Sequence, residues 1–283
     1  MDRVGCVGLT FLSVPRRFER QAANACPTFM TRRRFYAPQR AFDSSLTRVT
    51  LATDEARHLR EVLRLNVGDE VYVFNGEGKE FRCRVEETRR DTAHLMVIGE
   101  VEAARPESPL HLTLAVALLK AQKFDLVIQK AIELGVSGVV PVVTARADVR
   151  LRDESDVTKR MARWQRIALE AAKQSGRAAV PVISEPVSFE ALIRDANVRP
   201  GSHRLLFSER GGQPLLETKE LLAAKGFPLI ALVGSEGGWT DEELAAAHEA
   251  GWKIITLGGR TLRAETAAIA VAVLLQHLAG DLI

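Results

Sequence analysis

Apolar positions along this chain change rhythm part-way through. From residue 31 to about 104 they recur every second position in short runs: Arg48 to Leu51, Glu70 to Phe74, Glu80 to Glu86 and His94 to Val101. A period of two marks strands with one face buried. Asn75-Gly76-Glu77-Gly78 between two of the runs reads as a hairpin turn. A short helix from Asp54 to Leu63 interrupts them, with Asp54 as its expected cap and Leu59, Val62 and Leu63 on one face. Together these elements predict a small β-barrel-like domain. Glu102 to Pro109, polar and holding Pro106 and Pro109, reads as a linker.

Beyond Pro109 strands alternate with helices, the pattern of a mostly parallel sheet covered on both faces, so the fold class is α/β. Leu110 to Leu118 is the first expected strand. Phe124, Val127, Ile128, Ala131 and Ile132 form a helical stripe that stops at Gly135. Further strands are expected near Val139 to Val143, Val180 to Ile183, Arg204 to Phe207, Leu229 to Val233 and Lys253 to Leu257. Thr240 and Glu243 form a capping box at the start of a helix that ends before Gly251. The last helix, about Glu265 to Leu278, is apolar on every side, which predicts burial between the sheet and something else, a partner subunit or, as a core helix, the rest of a monomer.

Residues 1–30 match neither pattern. Val4 to Val14 is apolar, yet Arg16, Arg17, Glu19 and Arg20 separate it from Ala23-Asn24-Ala25, which spoils a secretory signal. Two readings stay open: an organelle transit peptide, or a translation start at or near Met30. Either way this extension is not expected to belong to the fold. Net charge is +3, and the segments 1–30, 31–104 and 105–283 carry 4 and 2, 13 and 13, and 22 and 21 basic and acidic groups, so no segment is a polycation. Nucleic-acid binding would therefore rest on local patches. Cys6, Cys26 and Cys83 form no C-x-x-C pair, which argues against a disulfide framework and against a zinc site, and suits a reducing cytoplasm. No run approaches the ~18 apolar residues that cross a bilayer, so no membrane role is expected.

Candidate chemistry lies in two glycine-rich loops, each following a strand: Val233-Gly234-Ser235-Glu236-Gly237-Gly238, and Leu257-Gly258-Gly259-Arg260-Thr261-Leu262-Arg263-Ala264-Glu265-Thr266. Open α/β sheets bind ligands at the carboxyl ends of their strands, and glycine lets backbone amides approach a ligand closely. Tight strand-to-helix turns also use glycine for steric reasons alone. There is no G-x-x-x-x-G-K-[ST] and no G-x-G-x-x-G after the first strand of the α/β part, which disfavours a nucleoside-triphosphate or dinucleotide enzyme.

These loops, with Gln129 to Val136, Trp164 to Ala172, Gln174-Ser175-Gly176-Arg177, Arg33-Arg34-Phe35-Tyr36, His58-Leu59-Arg60 and Val62-Leu63-Arg64, resemble the RsmE family of 16S ribosomal RNA (uracil-N3)-methyltransferases over about residues 31 to 281. The resemblance implies a SPOUT-type knotted parallel-sheet domain over 105–283 with a C-terminal trefoil knot, an N-terminal PUA-like RNA-docking β-barrel over 31–104, a cytoplasmic homodimer and S-adenosyl-L-methionine as cofactor. It places the cofactor on Phe207, Val233, Gly234, Glu236, Gly237, Gly238, Leu257, Gly258, Leu262 and Arg263. Candidates for the chemistry are Arg263, Glu236 and Glu265, and no metal is implied. Candidate contacts to 16S rRNA, within the small ribosomal subunit, are Arg32, Arg33, Arg34, Tyr36, His58, Arg60, Arg64 and Arg177. Family members usually carry proline where this chain has Ser235, an exchange expected to loosen the loop without removing its amides. The rival reading, a non-catalytic RNA-binding assembly factor that uses the barrel alone, leaves both glycine loops unexplained.

If residues 1–29 contribute no packed core, a chain beginning at Met30 keeps the full melting temperature and full activity. A thermal melt of the shortened protein checks this, and a drop of several degrees contradicts it.

Overall fold

Two sheets, one antiparallel in the main and one parallel, divide the chain where the apolar rhythm changes. The computed structural model describes residues 32–194, 201–219, 222 and 228–282, and residues 33–283 form one unit. The extension 1–30 lies outside the described residues. The first sheet has five strands: β1 (Arg34–Tyr36), β2 (Arg48–Leu51), β3 (Glu70–Phe74), β4 (Glu80–Thr88) and β5 (Ala93–Val101), in the order β1-β3-β4-β5-β2. Alternation buries Val71, Val73, Phe81, Cys83 and Val85 on one face against Phe35, Val49, Leu51, Leu59 and Leu95. The sheet is less closed than a barrel, because among the described residues β1 and β2 end the hydrogen-bonded path without pairing with each other. Asn75 closes the β3–β4 hairpin, its amide donating to the carbonyl of Lys79.

One expected helix is split in two. α1 covers only Thr53–Arg57, and His58–Val62 continues as a π-helical turn. Ala52, not Asp54, occupies the N-cap, so Asp54 acts through its charge in the first turn rather than as a cap. The wider turn buries Leu59 but leaves Val62 exposed, which breaks the single apolar face read from the sequence. Burial pushes the Cys83 thiol up to about 12, so it stays protonated and acts as a packing residue.

The second sheet runs β11-β13-β10-β12-β6-β7-β8, with β9 also pairing β7, and all its described pairings are parallel. In chain order the elements are β6 (Leu112–Ala117), α2 (Ala121–Glu133), β7 (Gly138–Val143), α3 (Glu154–Ser175), β8 (Val182–Ile183), β9 (Val187–Ser188), α4 (Phe189–Arg194), β10 (His203–Phe207), β11 (Gln213–Pro214), β12 (Leu229–Val233), α5 (Asp241–Glu249), β13 (Lys253–Thr256) and α6 (Ala264–Ala279). Central strands buried on both faces read as continuous apolar runs. Leu205, Phe207, Leu229, Ala231 and Val233 face α2, α3 and α6, whereas Leu206, Ile230 and Leu232 face α4, α5, Trp239 and Trp252. The α2 stripe of Phe124, Val127, Ile128, Ala131 and Ile132 is buried throughout; each large side chain contributes roughly 1.5–3 kcal/mol. α2 ends at Gly135, whose φ of 82° is the left-handed C-terminal conformation that a side chain would strain. The Thr240–Glu243 capping box is present with both reciprocal hydrogen bonds.

A polar seam joins the two sheets. Arg34 donates from Nε and Nη2 to both oxygens of Glu80, at 3.3 and 3.0 Å, and reaches across to the carbonyls of Lys173 and Arg177. Arg177 in turn pairs with Glu107 at 2.6 Å and donates to the carbonyls of Ile132 and Val136. Lys173 pairs with Glu55 at 2.7 Å. The hairpin turn docks here too, with Val180 donating to the Gly76 carbonyl and Gly78 to that of Ala178.

Glu80 is the most deeply sunk of these charges: its side chain is 0% exposed and that of Arg34 8%. Glu80→Ala would strand the guanidinium without its counter-charge, so the full chain should lose ~3–5 kcal/mol of unfolding free energy. Urea denaturation measures it; a loss under about 1 kcal/mol would mean the pair adds only what an exposed one does.

Candidate active site

β10 lies between β12 and β13 and runs parallel to both, with Phe207 in register with Val233 on one side and Ile255 on the other. The three strands therefore end level, and the chain leaving each enters the same cleft. Its volume is about 330 Å³, within the range of small-molecule sites. Phe207, Val233, Gly234, Glu236, Gly237, Gly238, Leu257, Gly258 and Leu262 line it together.

The first loop is shaped by close packing. Trp239 is buried and donates from its indole to the Phe207 carbonyl at 2.8 Å. Its ring lies 2.9 Å from where a Cβ on Gly234 would stand, so a side chain there would displace the indole. Arg146, from the loop after β7, donates to the carbonyls of Gly237 and Trp239 at 3.2 and 3.1 Å. Ser235, where the resemblance expects proline, donates to the Arg146 carbonyl at 3.0 Å. A hydroxyl tether thus takes over part of the restraint that proline would impose, and the loop is anchored rather than loosened.

The second loop is held differently. Gly258 and Gly259 have φ of 68° and 71°, and a Cβ on either would meet nothing within 4 Å. Their backbone is bare toward open space, a conformation that side chains disfavour. Thr256 accepts from the Gly258 amide at 3.1 Å.

Arg263 is the N-cap residue of α6, is exposed, and does not line the cleft, whereas Arg260 does; Glu265, in the first turn of α6, does not line it either. Glu236 lines the cleft and pairs with Lys123 of α2, whose Nζ is 3.6 Å from Glu265 Oε1. Lys123 escaped the sequence reading because 113 residues separate it from Glu236. Ser208, Glu209 and Thr256 at strand ends, and Ala264, Ala267 and Val271 on the inner face of α6, also line the cleft. Thr256 could have been inferred from adjacency to the second glycine loop, Ser208 and Glu209 from following the strand that ends at Phe207, and the last three from their helical spacing.

The candidate RNA contacts separate into two groups. Arg34 and Arg177 are not available to RNA, because the seam consumes their guanidinium donors on Glu80, Glu107 and four backbone carbonyls. On the first sheet Arg33 and Arg64 are exposed. Arg64 holds φ of 52°, a strained conformation for a side-chain-bearing residue. Arg60 is half-buried and donates to the carbonyls of Arg89 and Arg90. Tyr36 packs on Phe74 and His58 on Phe35, with centroids 5.4 and 5.8 Å apart. Arg32 is half-buried.

A family model described as the RNA methyltransferase domain matches residues 106–276, and one described as the RNA methyltransferase PUA domain matches 51–98. The ribosomal RNA small subunit methyltransferase E of Synechocystis is 33% identical over 84% of this chain and 75% of its own length, and that of Bacillus subtilis 30% identical over 82% and 92%. Among solved structures, the enzyme of that name from Neisseria gonorrhoeae, bound to S-adenosyl methionine, superposes with a TM-score of 0.77 at 32% identity, covering 89% of this chain and all of that one. A Legionella pneumophila putative methyltransferase in complex with the same cofactor gives 0.77 at 29% identity, covering 88% and 99%. With its parallel sheet, its appended five-stranded sheet and these relatives, the chain belongs to the RNA methyltransferase family of the ribosomal RNA small subunit methyltransferases E.

Proposed function

We propose that this protein transfers the methyl group of S-adenosylmethionine to N3 of a uridine in small-subunit (16S) ribosomal RNA. The observation that carries the reading is the cleft built from two glycine loops at the ends of adjacent parallel strands. The residues present fit the cofactor, because Gly258 and Gly259 leave room that a side chain would fill. Phe207, Val233, Leu257 and Leu262 offer an apolar lining, and the amides of Gly234, Glu236 and Gly237 offer donors, those of Gly238 and Gly258 being bonded to the Ser235 carbonyl and the Thr256 hydroxyl. The cofactor supplies a methyl group already activated on a sulfonium.

What remains for the chain is to orient the base and manage its proton. Uridine N3 is protonated at neutral pH, and a pKa about two units higher makes deprotonation cost ~3 kcal/mol. Arg263, where the second loop enters α6, stabilises the uracil anion in this reading, and Glu236 and Glu265 are the carboxylates that share Lys123. The target base has to be unstacked and unpaired, which suits a structured rRNA loop.

The PUA-like sheet docks the RNA in this reading through Arg32, Arg33, Arg60 and Arg64, with Tyr36 and His58 beside them. The order β13-β10-β12 supports a C-terminal trefoil knot, since the chain leaves the inner strand β12, adds β13 beyond β10 and returns as α6 against α2, β6 and β12. Val273 and Leu274 of α6 are exposed large apolar side chains, which supports a homodimer. Such a homodimer would work in the cytoplasm, within the small ribosomal subunit. An assembly factor that used the first sheet alone would have no use for the cleft.

Titration of the full chain with S-adenosylmethionine and with NAD, followed by mass spectrometry of rRNA incubated with the protein, tests the whole reading. Arg263→Ala should leave cofactor affinity near normal and lower turnover by ~10² or more, the scale of one lost electrostatic stabiliser. Raising the pH should restore part of the rate, because solvent then deprotonates the uridine. Unchanged turnover would remove Arg263 from the chemistry, and lost cofactor binding would reassign it to holding the loop.

A further inference from the structure

β10 is the middle strand of the three that end at the cleft, and Glu209 follows its end, in the turn that leads to β11. The turn is set locally. The Ser208 amide still donates to the Ile255 carbonyl of β13, and the Ser208 hydroxyl accepts from the Arg210 amide at 3.1 Å. Glu209 is thereby held between two fixed residues. Its carboxylate stands over the last glycine of the first loop, because a Cβ on Gly238 would collide with Glu209 Oε1. Arg210 braces the same oxygen from 3.7 Å, and its guanidinium is itself held by the Trp239 carbonyl and by Asp241 at 3.3 Å. Glu209 lines the cleft and its side chain keeps 39% exposure, so a ligand in the cleft can reach it.

Among the described residues the carboxylates that line the cleft are Glu209 and Glu236, and strand order gives them different neighbours. Glu236 is met by Lys123, which follows β6 on the far side of β12. Glu209 follows β10 itself, between the strands that lead into the two glycine loops and beside the apolar lining of Phe207 and Val233. A nucleoside needs both surfaces at once: an apolar slot for its base and, one glycosidic bond away, acceptors for two hydroxyls on adjacent carbons. The free amides of the first loop can only donate, whereas a carboxylate has two oxygens that accept. In doubly wound α/β folds an acidic residue serves in this way, taking a ribose hydroxyl near a glycine loop. We infer that Glu209 recognises the ribose of the cofactor, its carboxylate accepting from the 2′- and 3′-hydroxyls, with Arg210 as the residue that positions it and Gly238 as the residue that makes room. The inference rests on the proposal that the cleft binds S-adenosylmethionine, and it adds a requirement for the ribose diol. A ligand whose sugar lacks those hydroxyls leaves the carboxylate without its donors.

Calorimetry on the full-length protein compares wild type, Glu209→Gln and Glu209→Ala against S-adenosylmethionine, S-adenosylhomocysteine and the 2′,3′-dideoxy analogue of S-adenosylhomocysteine. Wild type should bind the dideoxy analogue about 10- to 100-fold more weakly than S-adenosylhomocysteine, the scale of hydrogen bonds to a charged group. That comparison needs no substitution, so it stands even if a variant fails to fold. Glu209→Ala should lose a similar factor for S-adenosylmethionine and S-adenosylhomocysteine alike, and should tell S-adenosylhomocysteine from its dideoxy analogue by no more than about threefold. Glu209→Gln, which keeps one acceptor and loses the charge, should fall between. Equal binding of the two sugars by wild type overturns the inference, as does discrimination by the alanine variant as large as that of wild type. A loss confined to S-adenosylmethionine, which alone of the three carries the sulfonium charge, overturns it by setting the carboxylate against sulfur. Unchanged affinity with slower methyl transfer overturns it by making Glu209 a participant in the chemistry. A wild-type chain that binds neither S-adenosylmethionine nor S-adenosylhomocysteine overturns the proposed function instead; the two failures differ in whether wild type binds the cofactor.

Discussion

Parallel pairing of β10 with both β12 and β13 is the constraint on which the site depends. Strands in parallel register end on the same side of the sheet, so their outgoing loops are forced into one place. Neither glycine loop alone encloses a cleft; the register that sets Phe207 level with Val233 and Ile255 does. The same arrangement requires the chain to leave β12, place α5 on one face, add β13 beyond β10 and then return to the other face as α6. That return brings Ala264, Ala267 and Val271 under the second loop and Glu265 toward Lys123.

The glycine positions show two different uses of a missing side chain. Gly234 is a packing requirement, because the indole of Trp239 fills the space a Cβ would take and holds the end of β10 through the Phe207 carbonyl. Gly258 and Gly259 are a conformational requirement, with positive φ and nothing nearby. The first loop is therefore stiffened by its neighbours, Arg146 and Ser235 included, and the second by its own backbone and the Thr256 hydroxyl. A rigid wall facing a bare one suits a cleft that must hold a ligand in one orientation.

The seam between the sheets makes a different use of charge. Arg34 and Arg177 are buried, and burial of a guanidinium is costly unless it is paired and hydrogen-bonded. Here the acceptors are Glu80, Glu107 and the carbonyls of Lys173, Arg177, Ile132 and Val136, drawn from both parts of the chain. Because each arginine counts residues far away in sequence among its partners, the seam exists only when both sheets are formed. It fixes the PUA-like sheet against α3.

Local pattern was enough to find most of the elements, since burial of one face or both writes its period directly into the sequence. Period two over β3 and β4, the apolar run of β12, the α2 stripe ending at Gly135 and the Thr240–Glu243 box were all readable because their physics acts within a few residues. The two glycine loops were legible for the same reason. Where neighbours in space decide, the reading stopped short. Asp54 looked like a cap, but the cap lies two residues earlier, at Ala52; Leu59 is buried and Val62 exposed because a π-turn shifts the faces. Arg34 and Arg177 looked like surface cations, since nothing local distinguishes an arginine that meets phosphate from one that meets a buried glutamate. Lys123 carried no signal at all, because its meaning comes from a strand order that sets α2 beside a loop more than a hundred residues later. The sequence by itself determined where strands, helices and bare backbone occur, through short-range burial and turn geometry; only the tertiary structure decided which charges face one another, because that depends on the order in which parallel strands are laid side by side.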